Sequence, residues 1–110
     1  MEFYKLEGQV IITDKELTVG EKLTANTTDG AHEKHVPVIT VSGDTVTVQV
    51  GSVEHPSLEA HYIEFIVLIT KTGCQMKWLK PEAIFRIVEG DAAVAAYEYC
   101  NLHGLWKAEV

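Results

Sequence analysis

The sequence predicts an all-β protein, a β-sandwich preceded by a short N-terminal β extension, and three observations lead there. Thr45 to Val50 alternates strictly, placing Val46, Val48 and Val50 on one face and Thr45, Thr47 and Gln49 on the other. Ser42-Gly43-Asp44, a tight-turn composition, joins this strand to Val38–Val41, so 38–50 reads as a hairpin. Further β-branched runs and short turns follow at the spacing of a sandwich.

The elements follow in order. Residues 1–30 are more polar and end in Asn26-Thr27-Thr28-Asp29-Gly30, the mark of a small N-terminal unit and a connecting loop. After the hairpin, His61 to Thr70 begins with alternation and ends apolar on both faces, as a strand in mid-sheet with packing on each side would. Lys71-Thr72-Gly73 ends it, and further strands cover Cys74–Leu79 and Ala83–Val88, with Pro81 breaking between them. Ala92–Tyr99 has helix-favouring alanines, but it is short, flanked by turn residues and rich in tyrosine, and reads as a strand. Leu105–Val110 is the last.

Composition narrows the function classes. With 110 residues, 46% hydrophobic and 23% charged, the chain is one globular domain, not a disordered or fibrous protein. A net charge of −7 argues against nucleic acid as a partner. The longest run of large apolar residues, Phe65–Ile69, is too short to span a bilayer, and the N-terminus shows no secretory signal. A cytoplasmic protein is expected, with Cys74 and Cys100 as reduced thiols.

Five histidines recur in tight local patterns: His32, His35, His55, His61 and His103. Cys100-Asn101-Leu102-His103-Gly104 puts a thiol and an imidazole three residues apart on a turn, where both can face one metal ion. His55-Pro56-Ser57-Leu58-Glu59-Ala60-His61 sets two imidazoles on the loop entering the central strand. Glu33-Lys34-His35-Val36-Pro37 places a histidine at the start of a strand behind one charge of each sign. Each motif has an ordinary explanation when taken singly: a buried cysteine, a loop histidine bonded to backbone, a solvated charge pair. Together they supply four imidazoles and one thiolate, a set with a sixth position to spare that suits iron. Structural zinc closes at four ligands. Blue copper uses two histidines and an axial methionine, and neither Met1 nor Met76 follows His103. Cys74 reads as an inert core or edge residue and His32 as a solvated neighbour.

EKHVP, then HPSLEAHYI, then CNLHGLW, in this order over Ala31–Val110, resembles the superoxide reductases, the desulfoferrodoxin and neelaredoxin family. The resemblance implies an immunoglobulin-like β-sandwich over 31–110 with one mononuclear iron. His35, His55, His61 and His103 would be its equatorial ligands and Cys100 its axial thiolate. The two-iron branch carries a further N-terminal iron centre held by four cysteines. With no cysteine before Cys74, residues 1–30 are expected to be a metal-free β extension. The implied reaction is one-electron reduction of superoxide to hydrogen peroxide. Lys34 would attract the anion and orient a proton-delivering water, while Glu33 matches the carboxylate that occupies the sixth position in the oxidised state. The thiolate of Cys100, with backbone N–H groups of Leu102 and His103 tuning it, would favour product release. Rubredoxin is the expected electron donor, and a homodimer or homotetramer the expected state. A non-catalytic iron electron carrier and a plain interaction module are the competing readings. An anion-attracting Lys34 favours the enzyme over the former, and metal-free protein would favour the latter.

Overall fold

The computed structural model describes residues 1–53 and 55–110. It contains ten strands: β1 (Glu2–Leu6), β2 (Gln9–Thr13), β3 (Glu21–Leu23), β4 (Pro37–Ser42), β5 (Thr45–Val50), β6 (Ile63–Thr70), β7 (Cys74–Trp78), β8 (Glu82–Arg86), β9 (Ala93–Cys100) and β10 (Gly104–Glu109). One helical turn, α1 (His32–His35), precedes β4. All strand pairings are antiparallel. The fold is an immunoglobulin-like β-sandwich with a short N-terminal β extension.

The sandwich apposes a four-stranded sheet, β10-β9-β6-β7, and a three-stranded sheet, β4-β5-β8. Between them lie Val46, Val48 and Val50 from β5, Ile66 and Leu68 from β6, Ala83 and Phe85 from β8, and Ala96 and Cys100 from β9. The alternation read in β5 is therefore real, with its three valines fully buried. The third sheet, β2-β1-β3, lies on the outer face of the four-stranded one. There Phe3 joins Phe65, Val67, Tyr99 and Leu105 in a second apolar cluster edged by Val10, Ile12 and Leu23. This second layer explains why β6 is apolar on both faces. Fully burying a side chain of this size contributes about 1.5–3 kcal/mol, so the extension is part of the packed structure.

Some boundaries differ from the sequence reading. Strand β8 ends at Arg86 rather than Val88, and β6 starts at Ile63 rather than His61. A β-bulge between Ile63 and Phe65 shifts the β6–β9 register and brings Ile63 to the same core as Ile66. His35 does not begin a strand but closes the α1 turn. That turn stops because Pro37 disfavours helical geometry at Val36, which is extended at φ −66° and ψ 121°. Four residues are too few to leave a periodic signal in the sequence. Cys74 is exposed at the start of the edge strand β7, the edge position of the two anticipated.

Candidate metal centre

Antiparallel pairing gathers several loops at one end of the sandwich. Pro37 opposes Val50, and Cys100 opposes both Ile63 and Gly104. Whatever precedes β4, links β5 to β6 or links β9 to β10 therefore emerges at the same end. Those segments carry His35, His55 and His61, and Cys100 with His103.

One ligand atom from each of His35, His55, His61 and Cys100 lies within 4.8 Å of the others. His103 completes a closed ring of imidazoles. Successive centroids are 4.9 Å (His35–His55), 4.6 Å (His55–His61), 5.0 Å (His61–His103) and 4.7 Å (His103–His35) apart, each pair tilted by 70–79°. The diagonal pair His35–His61 is 6.4 Å apart and only 28° from parallel. His103 thus stands beside His35 and His61 in the ring, although its nitrogens lie outside the 4.8 Å group of ligand atoms. The thiol sulfur of Cys100 is 3.5 Å from His55 Nε2 and 3.8 Å from His103 Nδ1.

Hydrogen bonds select which nitrogen faces inward. His35 Nδ1 lies 2.7 Å from the carbonyl of Ala31, and His55 Nδ1 2.7 Å from that of Pro56. A carbonyl only accepts, so both Nδ1 atoms carry the proton and both Nε2 lone pairs are free. Those two Nε2 atoms are 3.3 Å apart with no proton to share. Two lone pairs so placed repel each other unless a cation lies between them. The spacing approaches that of neighbouring ligands of one ion with metal–nitrogen bonds of about 2.1 Å. His61 Nε2 is buried and has no hydrogen-bond partner among the described residues. An orphaned buried acceptor of this kind is costly, and a metal ion would satisfy it. The donor set therefore fits a metal ion.

Electrostatics agree. Burial lowers the basicity of His35, His55 and His61, and that of His55 falls to about 4. Neutral imidazoles, ready to donate lone pairs, are the result. Burial pushes the Cys100 thiol up, opposed by hydrogen bonds from the backbone N–H groups of His103 and Leu102. These are the two amides that the family resemblance implies address the sulfur. Glu33 and Lys34 both lie exposed on α1 rather than inside the cage. Lys34 is near enough to His61 for its charge to depress that imidazole, and Glu33 near enough to His35 to raise it. His32 is exposed, its ring edge-on to Trp106 at 5.1 Å, and stands outside the ring of four imidazoles.

Three supporting residues carried no warning in the sequence. Asn101 fastens the Cys100–His103 turn to the loop bearing His61, accepting from Tyr62 N at 2.8 Å and donating to Ala60 O at 3.0 Å. Trp106 is fully buried, stacks on His35 at 5.1 Å and donates from Nε1 to His103 O at 3.0 Å. Gly51, at φ +78°, lets β5 meet α1, since a Cβ there would stand 2.5–2.7 Å from backbone atoms of Glu33 and Lys34. Asn101 and Trp106 stood inside the quoted CNLHGLW motif, but only contacts reveal their work.

An immunoglobulin-like sandwich with four imidazoles and a thiol converging at one end defines a β protein with a cluster able to hold one metal ion. Comparison with known proteins narrows this class. The family model described as Desulfoferrodoxin matches residues 27–109. The chain is 48% identical over 93 residues to the desulfoferrodoxin of Clostridium acetobutylicum, covering 81% of this chain and 72% of that one. The crystal structure of the superoxide reductase from Treponema pallidum is similar over 99% of both chains, with a TM-score of 0.87 and 35% identity. The superoxide reductase of Giardia intestinalis covers 71% of this chain and 97% of its own, at a TM-score of 0.57 and 40% identity. The chain belongs to the desulfoferrodoxin family, the superoxide reductases. The similarity to the Treponema protein includes the N-terminal sheet, and with no cysteine before Cys74 that sheet has no four-cysteine centre.

Proposed function

We propose that this protein is a superoxide reductase, converting superoxide to hydrogen peroxide with one electron and two protons. A mononuclear non-haem iron would be held by His35, His55, His61 and His103 together with the Cys100 thiolate. The observation that carries this reading is the closed imidazole ring with a sulfur beside it and the orphaned His61 Nε2. When bound, ferrous iron supplies the single electron that superoxide takes up.

The chain's own residues do the rest. The carbonyls of Ala31 and Pro56 keep Nδ1 of His35 and His55 protonated and turn Nε2 inward. Amides of Leu102 and His103 moderate electron donation from the Cys100 sulfur. A chain of net charge −7 repels an anion at long range, so a local cation must offset it. Lys34, exposed and near enough to His61 for its charge to depress that imidazole, would draw superoxide to the site and orient the water that delivers the first proton. Glu33, its neighbour on α1, would be the carboxylate that reaches the iron in the oxidised state. Residues 31–110 form the iron-binding domain and 1–30 a metal-free extension. The electron is resupplied by an external donor, rubredoxin, in the cytoplasm, and the working unit is a homodimer or homotetramer.

Iron content and visible spectrum of the purified protein test this reading. About one iron per chain, with a sulfur-to-iron charge-transfer band on oxidation that bleaches on reduction, is expected, together with rapid oxidation of the reduced protein by superoxide. Glu33→Ala is expected to shift that band without slowing the reaction. Zinc, copper or no metal would overturn the assignment. Iron that ignores superoxide would return the protein to the electron-carrier reading.

A further inference from the structure

The segment between β3 and α1 touches the metal cage at a point the proposed mechanism does not use. Thr28 donates from Oγ1 to the carbonyl of His103, the same oxygen that Trp106 Nε1 reaches from the other side at 3.0 Å. Two residues earlier, Asn26 fastens the turn after β3 to β10. Its N–H donates to Leu105 O at 3.0 Å, its side-chain amide to Lys107 O at 3.1 Å, and its Oδ1 accepts from Lys107 N at 2.8 Å. Asn26 adopts φ +64° to do so, a conformation asparagine tolerates better than most residues. Two residues after Thr28, Gly30 lies flat on the site. A Cβ there would stand 3.1 Å from the Trp106 ring and 3.3–3.4 Å from Cβ and Cγ of His103. From the opposite direction, a Cβ on Gly104 (φ +80°) would meet Thr28 Cγ2 at 3.1 Å.

We infer that Asn26–Gly30 is a clamp that sets the position of His103, with Thr28 as its positioning residue, so that the N-terminal sheet supports the metal site. The inference rests on the reading of His103 as a ligand. His103 sits in a three-residue turn between β9 and β10, and side-chain and backbone contacts from neighbouring segments set that turn's orientation. The clamp grips the residue's carbonyl, covers its ring and is rooted at one end in β3. At the other end it runs directly into α1, which presents His35. One strap therefore ties two of the four imidazoles to β10. Second-layer contacts of this kind are worth about 10–100-fold in metal affinity.

The test compares wild type, Thr28→Val, Thr28→Ser and Gly30→Ala, reading ferrous iron affinity by chelator competition, the charge-transfer band of the oxidised protein, and thermal unfolding of the metal-free forms. Thr28→Val removes the hydroxyl and keeps the shape. It is expected to weaken iron binding about tenfold and to shift the band, with metal-free unfolding little changed because Thr28 is exposed. Thr28→Ser restores the donor and should stay within about twofold of wild type, while Gly30→Ala should weaken binding as Thr28→Val does. Wild-type affinity and spectrum in Thr28→Val overturn the clamp, as does a loss confined to metal-free stability. A wild-type protein with no iron and no band instead defeats the iron-site reading itself, so the two failures are distinguishable.

Discussion

Replacing Gly51 with alanine probes how tightly the fold holds His35. The added Cβ would lie 2.5–2.7 Å from Glu33 O and from Lys34 C and Cα, all backbone atoms of α1. Ordinary contact begins near 3.4 Å, so α1 must retreat by about 0.9 Å, beyond the roughly 0.5 Å within which a ligand constellation must be held. His35 is the buried end of that turn and would leave its place 3.3 Å from His55 Nε2. Positive φ adds about 1–2 kcal/mol for any residue with a Cβ, and with the clash the expected cost is about 3 kcal/mol. Gly43→Ala is the control, since Gly43 has φ +61° but nothing within 4 Å of the new Cβ. It should cost about 1 kcal/mol and leave metal binding unchanged. Urea unfolding and chelator competition on both variants read the two effects separately. Wild-type metal affinity in Gly51→Ala would refute the coupling of this glycine to His35.

Further outcomes follow from the same structure. Lys34→Ala should slow the reaction with superoxide about tenfold and flatten its decline with ionic strength, at unchanged iron content. An equal rate would remove Lys34 from the mechanism. Glu98 is fully buried, neither oxygen has a partner among the described residues, and burial raises its carboxyl to about 9. A carboxyl raised on folding holds its proton longer in the native state. In the metal-free protein its contribution is therefore complete below about pH 4.5 and is lost as pH rises toward 9, at about 1.4 kcal/mol per pH unit. Glu98→Gln should remove this slope in urea unfolding between pH 6 and 8, and an unchanged slope would show that another group carries it. Phe3→Ala should cost about 3–4 kcal/mol, because Phe3 is buried against Phe65 and Tyr97. A loss below about 1 kcal/mol would mean that the N-terminal sheet unfolds separately.

Much of this protein was legible in one dimension for identifiable reasons. Alternation in Thr45–Val50 is a local consequence of one face being buried. The two-sided apolarity at the end of His61–Thr70 signals a central strand, and β6 is one, although the sheet that covers its second face has no mark in the sequence. The alanine-rich stretch before Cys100 shows the limit of propensity. Residues 93–100 are strand because Ala96 lies between sheets and Tyr99 packs on Phe65, so tertiary burial overrides alanine's helical preference. The sequence reads His35 as the start of a strand, because a single turn ended by proline leaves no periodic trace.

Donor types, their flanking residues and the alternating pattern are legible along the chain, because they depend on sequence neighbours. Tertiary structure alone decided how the donors meet. The 20-residue separation of His35 from His55, and the 45-residue separation of His55 from Cys100, become contacts of 3.3 and 3.5 Å through strand register. The supporting contacts of Thr28, Gly51, Asn101 and Trp106 likewise appear only in three dimensions. Each depends on the exact approach of segments distant in sequence, and a chain's local pattern carries no record of that approach.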